Sequence, residues 1–407
     1  MISNFYSTLL FLLSFAFTLA QSNNTIIDSL ISQDNITFYQ NLEYGKNERN
    51  KLDLLIPMSN SKTPLVIYLH GGGYKGGKKE NSYRKNNIGR ISEILNNNIA
   101  FATINYTFLN NENGLISSLN DAKLALQFLK HNHDKFNLDK NRVVIWGVSS
   151  GANSVLWLGL SDDMAALKNE NKVLTESTRV QGIVSINGTH SFNSHNWKKM
   201  INMPDKIFDF MIKRFLKYPG MDVDKWLVNY KLEKYQEAID YFDFMDSSDP
   251  PILVANYGDM VPKSLSSFNH HPMHAKFLKD RADSLSIENY VFAPKLGIEN
   301  KEVNGILDFI LKQLGYLSLQ AIGTKDLESS KKQGRNSCVT FFIYASALGC
   351  NLLQSLQGYF YTEKSLSERL NNAMFIYTLA ACSVAFMFAT KYEATFNLIQ
   401  KYTYSFL

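Results

Sequence analysis

From about residue 35 to residue 316, short apolar segments rich in β-branched and aromatic residues alternate with longer segments whose apolar positions recur at helical spacing. The short segments predict strands starting at Lys51 (KLDLLIP), Pro64 (PLVIYLH), Ile99 (IAFATINY), Arg142 (RVVIWG), Val180 (VQGIVSING), Pro251 (PILVANYG) and Glu288 (ENYVFAP). Helices are predicted between or after them: NIGRISEILNNN, SLNDAKLALQFLKHNHDKF, GANSVLWLGLSDDMAALKN, PMHAKFLKDRADSLS and VNGILDFILKQLG. In the second of these, Ala122, Ala125, Leu126 and Leu129 form one stripe, as a face packed on a sheet requires. Regular alternation of this kind predicts the α/β class, a sandwich with a mostly parallel sheet.

Two regions interrupt the alternation. Residues 190–249 are aromatic-rich and helical in pattern, and as an insertion between strands they are expected to cap a site at the strand ends. Gly323–Ser337 (GTKDLESSKKQGRNS) is polar and glycine-punctuated, a linker by composition. The expected organisation is an N-terminal segment at 1–20, an α/β domain at 21–322, the linker at 323–337 and a separate C-terminal region at 338–407.

The two ends are strongly apolar. No charged side chain precedes Asp28, and the run Leu9–Ala20 ends in small residues, as a secretory signal peptide does; an anchor that stays attached is the alternative. Asn336–Thr362 and Leu370–Thr390 carry no formal charge, and each is long enough to cross a hydrocarbon core of ~30 Å. With their short connection they are expected to form a C-terminal helical hairpin of two transmembrane helices. Lys331–Arg335 ahead of the first span favours a cytoplasmic flank, whereas a cleaved signal favours the opposite side; the sequence leaves the topology open. Expected localisation is the secretory pathway or cell envelope, membrane-associated. Sequons occur at Asn23, Asn35, Asn105 and Asn187.

Aliphatic and aromatic residues make up 45% of the chain, enough to bury a large core. Its cysteines, Cys338, Cys350 and Cys382, all follow the α/β region, so that domain holds together without disulfides. Their spacing is not that of a zinc site. A net charge of +5 spread over 407 residues gives no basic stripe for nucleic acid.

Two motifs carry chemistry. In NRVVIWGVSSGANS, Ser149 lies between Gly147 and Gly151, after a strand and before a helix. That is the pattern of a nucleophile elbow, in which a sharp turn lifts the serine hydroxyl above the sheet and places the next N–H beside it. His70–Tyr74 (HGGGY) directly follows the strand PLVIYL. Glycines there let the backbone approach a substrate and aim N–H groups at a developing oxyanion, donors worth ~3 kcal/mol of barrier each. Gly72, Gly73 and Ser150 are the expected donors. His70 itself is expected to be structural, His131–His133 to lie on a solvated face, and Asp162 and Asp163 to fall at the end of the elbow helix.

With both motifs in this order the chain resembles α/β-hydrolase-fold carboxylesterases of the HGGG type, near the hormone-sensitive-lipase and feruloyl-esterase-like groups. The resemblance covers about residues 40–315 and includes YGKNERNKLDLLIP, PLVIYLHGGGYKGGKK, the stretch from DAKLALQFLK through GVSSGAN, and DPPILVANYGDMVP. It implies hydrolysis of a small-molecule carboxylic ester through an acyl-enzyme on Ser149, without metal or organic cofactor. It also implies an acid after the strand PPILVA, a place filled by Asp259, and a histidine after the strand NYVFAP. No histidine follows that strand; the last in the chain is His274. Three readings stay open. The base comes from NHHPMH, with His271 and His270 ahead of His274; or it is His190; or the fold is a pseudo-hydrolase that binds a ligand or partner. An amidase uses the same machinery. No protein partner is identified by the sequence.

Overall fold

The computed structural model describes residues 35–109, 115–192, 196–197, 200, 206, 239–261 and 265–316. The N-terminal apolar run, most of the expected cap, the linker and both C-terminal apolar stretches lie outside these. The chain divides between Ser318 and Leu319, and all the described residues belong to the first unit. Among the described residues no helix is long and apolar enough to cross a membrane.

One sheet of eight strands organises the domain: β1 (Ile36–Glu43), β2 (Lys51–Pro57), β3 (Thr63–Leu69), β4 (Ala100–Ile104), β5 (Leu138–Val148), β6 (Gly182–Ile186), β7 (Ile252–Ala255) and β8 (Asn289–Phe292). Their order is β1-β2-β4-β3-β5-β6-β7-β8. Pairing is antiparallel for β1–β2 and β2–β4 and parallel from β4 to β8, with Ile67 of β3 opposite Ala102 on one side and Ile145 on the other. The helices are α1 (Lys85–Asn96), α2 (Ile116–His131), α3 (Ser150–Leu160), α4 (Tyr241–Phe244), α5 (Leu265–Asn269), α6 (Pro272–Ser284) and α7 (Ile306–Gln313). This is the mostly parallel α/β sandwich expected from the pattern, and the α/β-hydrolase fold that the resemblance implies.

Successive strand residues point to opposite faces, so a strand buried on both sides feeds two cores. Leu65, Ile67 and Leu69 of β3, with Val143 and Ile145 of β5, meet α2, α3 and α6 through Leu126, Val155 and Leu278. Val66 and Tyr68, with Val144 and Trp146, meet α1 and α7 through Ile91 and Phe309. On this second face β2 presents Asp53, fully buried. Lys79 Nζ lies 2.8 Å from its carboxylate, Tyr83 Oη donates to it at 3.0 Å, and the Asn41 N–H donates at 2.8 Å. An unpaired charge at that depth would cost several kcal/mol, so the pair fastens the segment after the glycine loop to the sheet.

Two sequence expectations needed adjustment. Strand β1 was not foreseen, because its residues are only half buried or exposed and a bulge between Tyr39 and Leu42 breaks their alternation. The elbow helix was expected to run past SDDM, yet α3 ends at Leu160. There the Ser161 hydroxyl donates back to the Trp157 carbonyl at 2.6 Å. Asp163 then accepts from the Thr178 and Ala165 N–H groups instead of continuing the helix.

Candidate active site

Strand β3 lies between β4 and β5, so the order of the strands reverses there, and the carboxyl ends of strands at such a reversal are where an open α/β sheet places a site. The carboxyl ends of β3, β5, β6 and β7 lead into the His70 loop, Ser149, the Asn187–His190 turn and the Asn256–Gly258 turn.

Ser149 has φ 56° and ψ −119°, a conformation that costs a non-glycine residue ~1–3 kcal/mol. The surroundings enforce it. A Cβ on Gly147 would sit 2.1 Å from the Gly151 carbonyl oxygen, and one on Gly151 would sit 2.2 Å from that of Leu69. Strand, elbow and helix therefore meet only with glycine at both positions. The Ser149 N–H donates to the Ile186 carbonyl at 2.8 Å, and its carbonyl accepts from the Asn153 N–H as the first bond of α3.

The HGGGY loop is held just as firmly. Gly72 has φ 137°, and a Cβ there would lie 2.0 Å from the Gly76 carbonyl oxygen. Tyr74 Oη donates to the Ser150 carbonyl at 2.7 Å, and Tyr106 Oη donates to the His70 carbonyl at 2.7 Å, which ties the loop to the elbow. The N–H groups of Gly72 and Gly73 have no acceptor among the described residues. Ser150, first residue of α3, directs its N–H out of the helix with the positive end of the helix dipole. His70 is fully buried, stacked 4.4 Å from Tyr106, with Nδ1 2.8 Å from the Gly71 oxygen. Burial pushes its pKa down to about 4, so it is a neutral structural ring, as the sequence suggested.

His270 Nε2 lies 3.0 Å from Ser149 Oγ. His270 occupies the third position of a turn from Phe268 to His271, closed by the His271 N–H on the Phe268 carbonyl at 3.1 Å. Its own carbonyl accepts from the Gly258 N–H at 3.1 Å, and the His271 carbonyl accepts from Asn256 Nδ2 at 3.3 Å. Burial lowers the His270 pKa, which keeps the ring neutral near pH 7 and able to accept the serine proton at Nε2.

The other histidines are placed differently. His271, expected alongside His270, is not at the serine: its Nδ1 accepts from the Met273 N–H as N-cap of α6, and its Nε2 donates to the Met260 carbonyl at 3.1 Å. A one-residue step along the turn reverses the ring's direction, so only one of the two neighbours reaches Ser149. His190 and His274 are buried and paired to each other, Nδ1 to Nδ1 at 2.9 Å. Asp259 is exposed and has no bond to His270; among the described residues no carboxylate pairs with that ring. Asn105 and Asn187, both sequon residues, already use their side-chain oxygens on the Lys79 and Tyr257 N–H groups.

Sequence reasoning gave no role to Tyr74, Tyr106 and Asn256. The tyrosine after the glycine run was the one available signal. Among the described residues no cluster of side chains is suited to hold a metal ion.

The BD-FAE family model matches residues 52–267, more than half of the chain. Gut esterase 1 of Caenorhabditis elegans is 29% identical over 127 residues, 29% of this chain and 22% of that protein. Isoprenylcysteine alpha-carbonyl methylesterase ICME of Arabidopsis thaliana is 29% identical over 136 residues, 32% of this chain and 30% of that protein. These matches span less than a third of either relative. Among solved structures, a truncated carbohydrate esterase from gut microbiota superposes with a TM-score of 0.47 at 17% identity, covering 69% of this chain and 98% of that one.

Proposed function

The chain belongs to the BD-FAE family of α/β-hydrolase esterases, and from that premise we propose that it hydrolyses small-molecule carboxylic esters with Ser149 as nucleophile and His270 as general base. The observation that carries this reading is the 3.0 Å contact between Ser149 Oγ and His270 Nε2 at a strained elbow. His270 Nε2 removes the serine proton as Oγ attacks the ester carbonyl, and the N–H groups of Gly72, Gly73 and Ser150 receive the oxyanion. The protonated ring then gives its proton to the departing alcohol, leaving an acyl-Ser149 ester. Water, deprotonated by the same nitrogen, releases the carboxylic acid.

A binding-only role, expected had no histidine reached the serine, is not favoured. Tyr257, Met260 and Val261 are exposed apolar side chains on the loop that carries Gly258, and they give the rim beside His270 a face suited to an apolar ester. The same proposal places the enzyme in the secretory route or cell envelope, on the strength of the apolar runs at residues 9–20, 336–362 and 370–390; protease protection in sealed membranes tests that placement.

The test is turnover of p-nitrophenyl acetate by the full-length chain, with peptide mass analysis after rapid acid quench. Acetylation of the Ser149 peptide, absent in Ser149→Ala, is expected. Turnover unaffected by Ser149→Ala would overturn the proposal.

A further inference from the structure

In a Ser-His-Asp triad a carboxylate on Nδ1 holds the imidazole in its working orientation and tautomer. Nδ1 of His270 has no such partner among the described residues, and what those residues offer to set the ring's aim is the backbone that carries it. That backbone is the Phe268–His271 turn, whose closing carbonyl, Phe268 O, accepts two donors. One is the His271 N–H; the other is His274 Nε2, at 3.2 Å.

The second donor is fixed by its own surroundings. Phe268 O only accepts, so His274 Nε2 carries a proton. The ring is fully buried and kept neutral, so its Nδ1 is a bare acceptor. Two donors converge on that nitrogen: the His190 backbone N–H at 3.3 Å and the His190 ring Nδ1–H at 2.9 Å. Both belong to the turn after β6, the strand that also receives the Ser149 N–H. Trp197 and Phe268 pack edge-on against His274, 5.9 and 6.1 Å between ring centroids. A continuous path therefore runs from the β6 end, which anchors the nucleophile, through His190 and His274 to the turn that aims the base.

We propose that His274, locked in one tautomer by His190, is the positioning residue for His270 and supplies through the Phe268 carbonyl the orienting part of what an acid does in a triad. The inference rests on the Ser149–His270 reading above. His274 touches neither substrate nor serine; its effect is on how much of the time His270 points at Ser149. Removing it lowers kcat and leaves KM nearly unchanged, because the acyl and alcohol contacts are untouched.

The experiment measures kcat, KM and the pH profile of kcat/KM for p-nitrophenyl acetate with full-length wild type, His270→Ala, His274→Leu, His274→Gln, His190→Leu and His190→Asn. Gln places an amide N–H where Nε2–H of His274 stands, and Asn places one where Nδ1–H of His190 stands. The Leu variants are expected to lose about 10–100-fold in kcat with KM within about 2-fold, and the amide variants to recover most of the loss. The acid limb of the Leu variants is expected to move upward as His270 spends more time in solvent. A merely structural role would lower the melting temperature of Leu and amide variants alike and leave the acid limb in place. Wild-type kcat in either folded Leu variant, or no recovery in the amide variants, would overturn the inference. If His274→Leu does not fold, His190→Leu reads the same relay one step upstream. If His270→Ala keeps wild-type activity, the Ser149–His270 reading itself fails; if only the Leu variants keep it, the positioning role alone fails.

Discussion

Acidification should destabilise this domain through its buried neutral histidines, and His70 allows one of them to be isolated. His70 and His190 are 0% and 1% exposed, and burial pushes their pKa values from 6.5 to about 4 and about 3. Below pH 6.5 the unfolded chain takes up protons at these positions while the folded chain does not. Their contribution to stability is thus complete above pH 6.5 and is lost as the pH falls toward 4 and 3. Each such group costs ~1.4 kcal/mol per pH unit, so two units of acidification to pH 4.5 cost about 5 kcal/mol for the two together. His274 is shifted in the same direction. Asp249 acts in the opposite sense: its carboxyl is raised to about 6 by burial, so the folded state binds its proton first and gains roughly 2 kcal/mol over the same acidification. Comparing wild type with His70→Phe cancels every other titration: Phe keeps a ring against Tyr106, and the lost Nδ1 bond to the Gly71 oxygen lowers stability equally at both pH values. Urea unfolding of both proteins, followed by far-ultraviolet circular dichroism at pH 6.5 and 4.5, should show the wild type losing about 2 kcal/mol more than the variant. An extra loss below about 1 kcal/mol would refute the assignment of His70 as a buried neutral ring.

Three further outcomes follow from the geometry. Gly151→Ala places a methyl group 2.2 Å from the Leu69 carbonyl oxygen, so it should abolish turnover and lower stability by at least ~2 kcal/mol, read by denaturant unfolding. Lys79→Met leaves Asp53 buried without its cation and should cost about 3–5 kcal/mol, while Lys79→Met combined with Asp53→Leu should recover much of that. Asp259→Asn should leave kcat/KM within about 3-fold of wild type; a 10⁴-fold fall, the size seen when a triad acid is neutralised, would show that Asp259 orients the base after all.

The strands from β2 to β8 were legible because each holds a short run of mostly apolar residues buried in the sheet, although the polar start of β5, Leu138–Asn141, gave no such signal. Strand β1 was not, since an edge strand with a bulge retains little of that signal. Ser149 and the glycine loop could be read because close backbone approach admits few residue types. The base could only be narrowed to neighbours. His270 and His271 have the same composition around them, and the turn from Phe268 decides which ring meets the serine. Partners far apart in the chain left no local trace at all: Asp53 sits in the apolar run KLDLLIP and finds Lys79 in a loop, and His190 finds His274 only once β6 and α6 are in place.

The central claim is that Ser149 is activated by His270 and not by its neighbour. The rate at which a fluorophosphonate probe labels the full-length chain tests it most directly, in wild type, Ser149→Ala, His270→Ala and His271→Ala. Labelling should be absent in Ser149→Ala and at least about 100-fold slower in His270→Ala. In His271→Ala it should stay near the wild-type rate, with a stability loss of ~1 kcal/mol from the missing helix cap. Wild-type labelling in His270→Ala, or abolished labelling in a folded His271→Ala, would contradict the account.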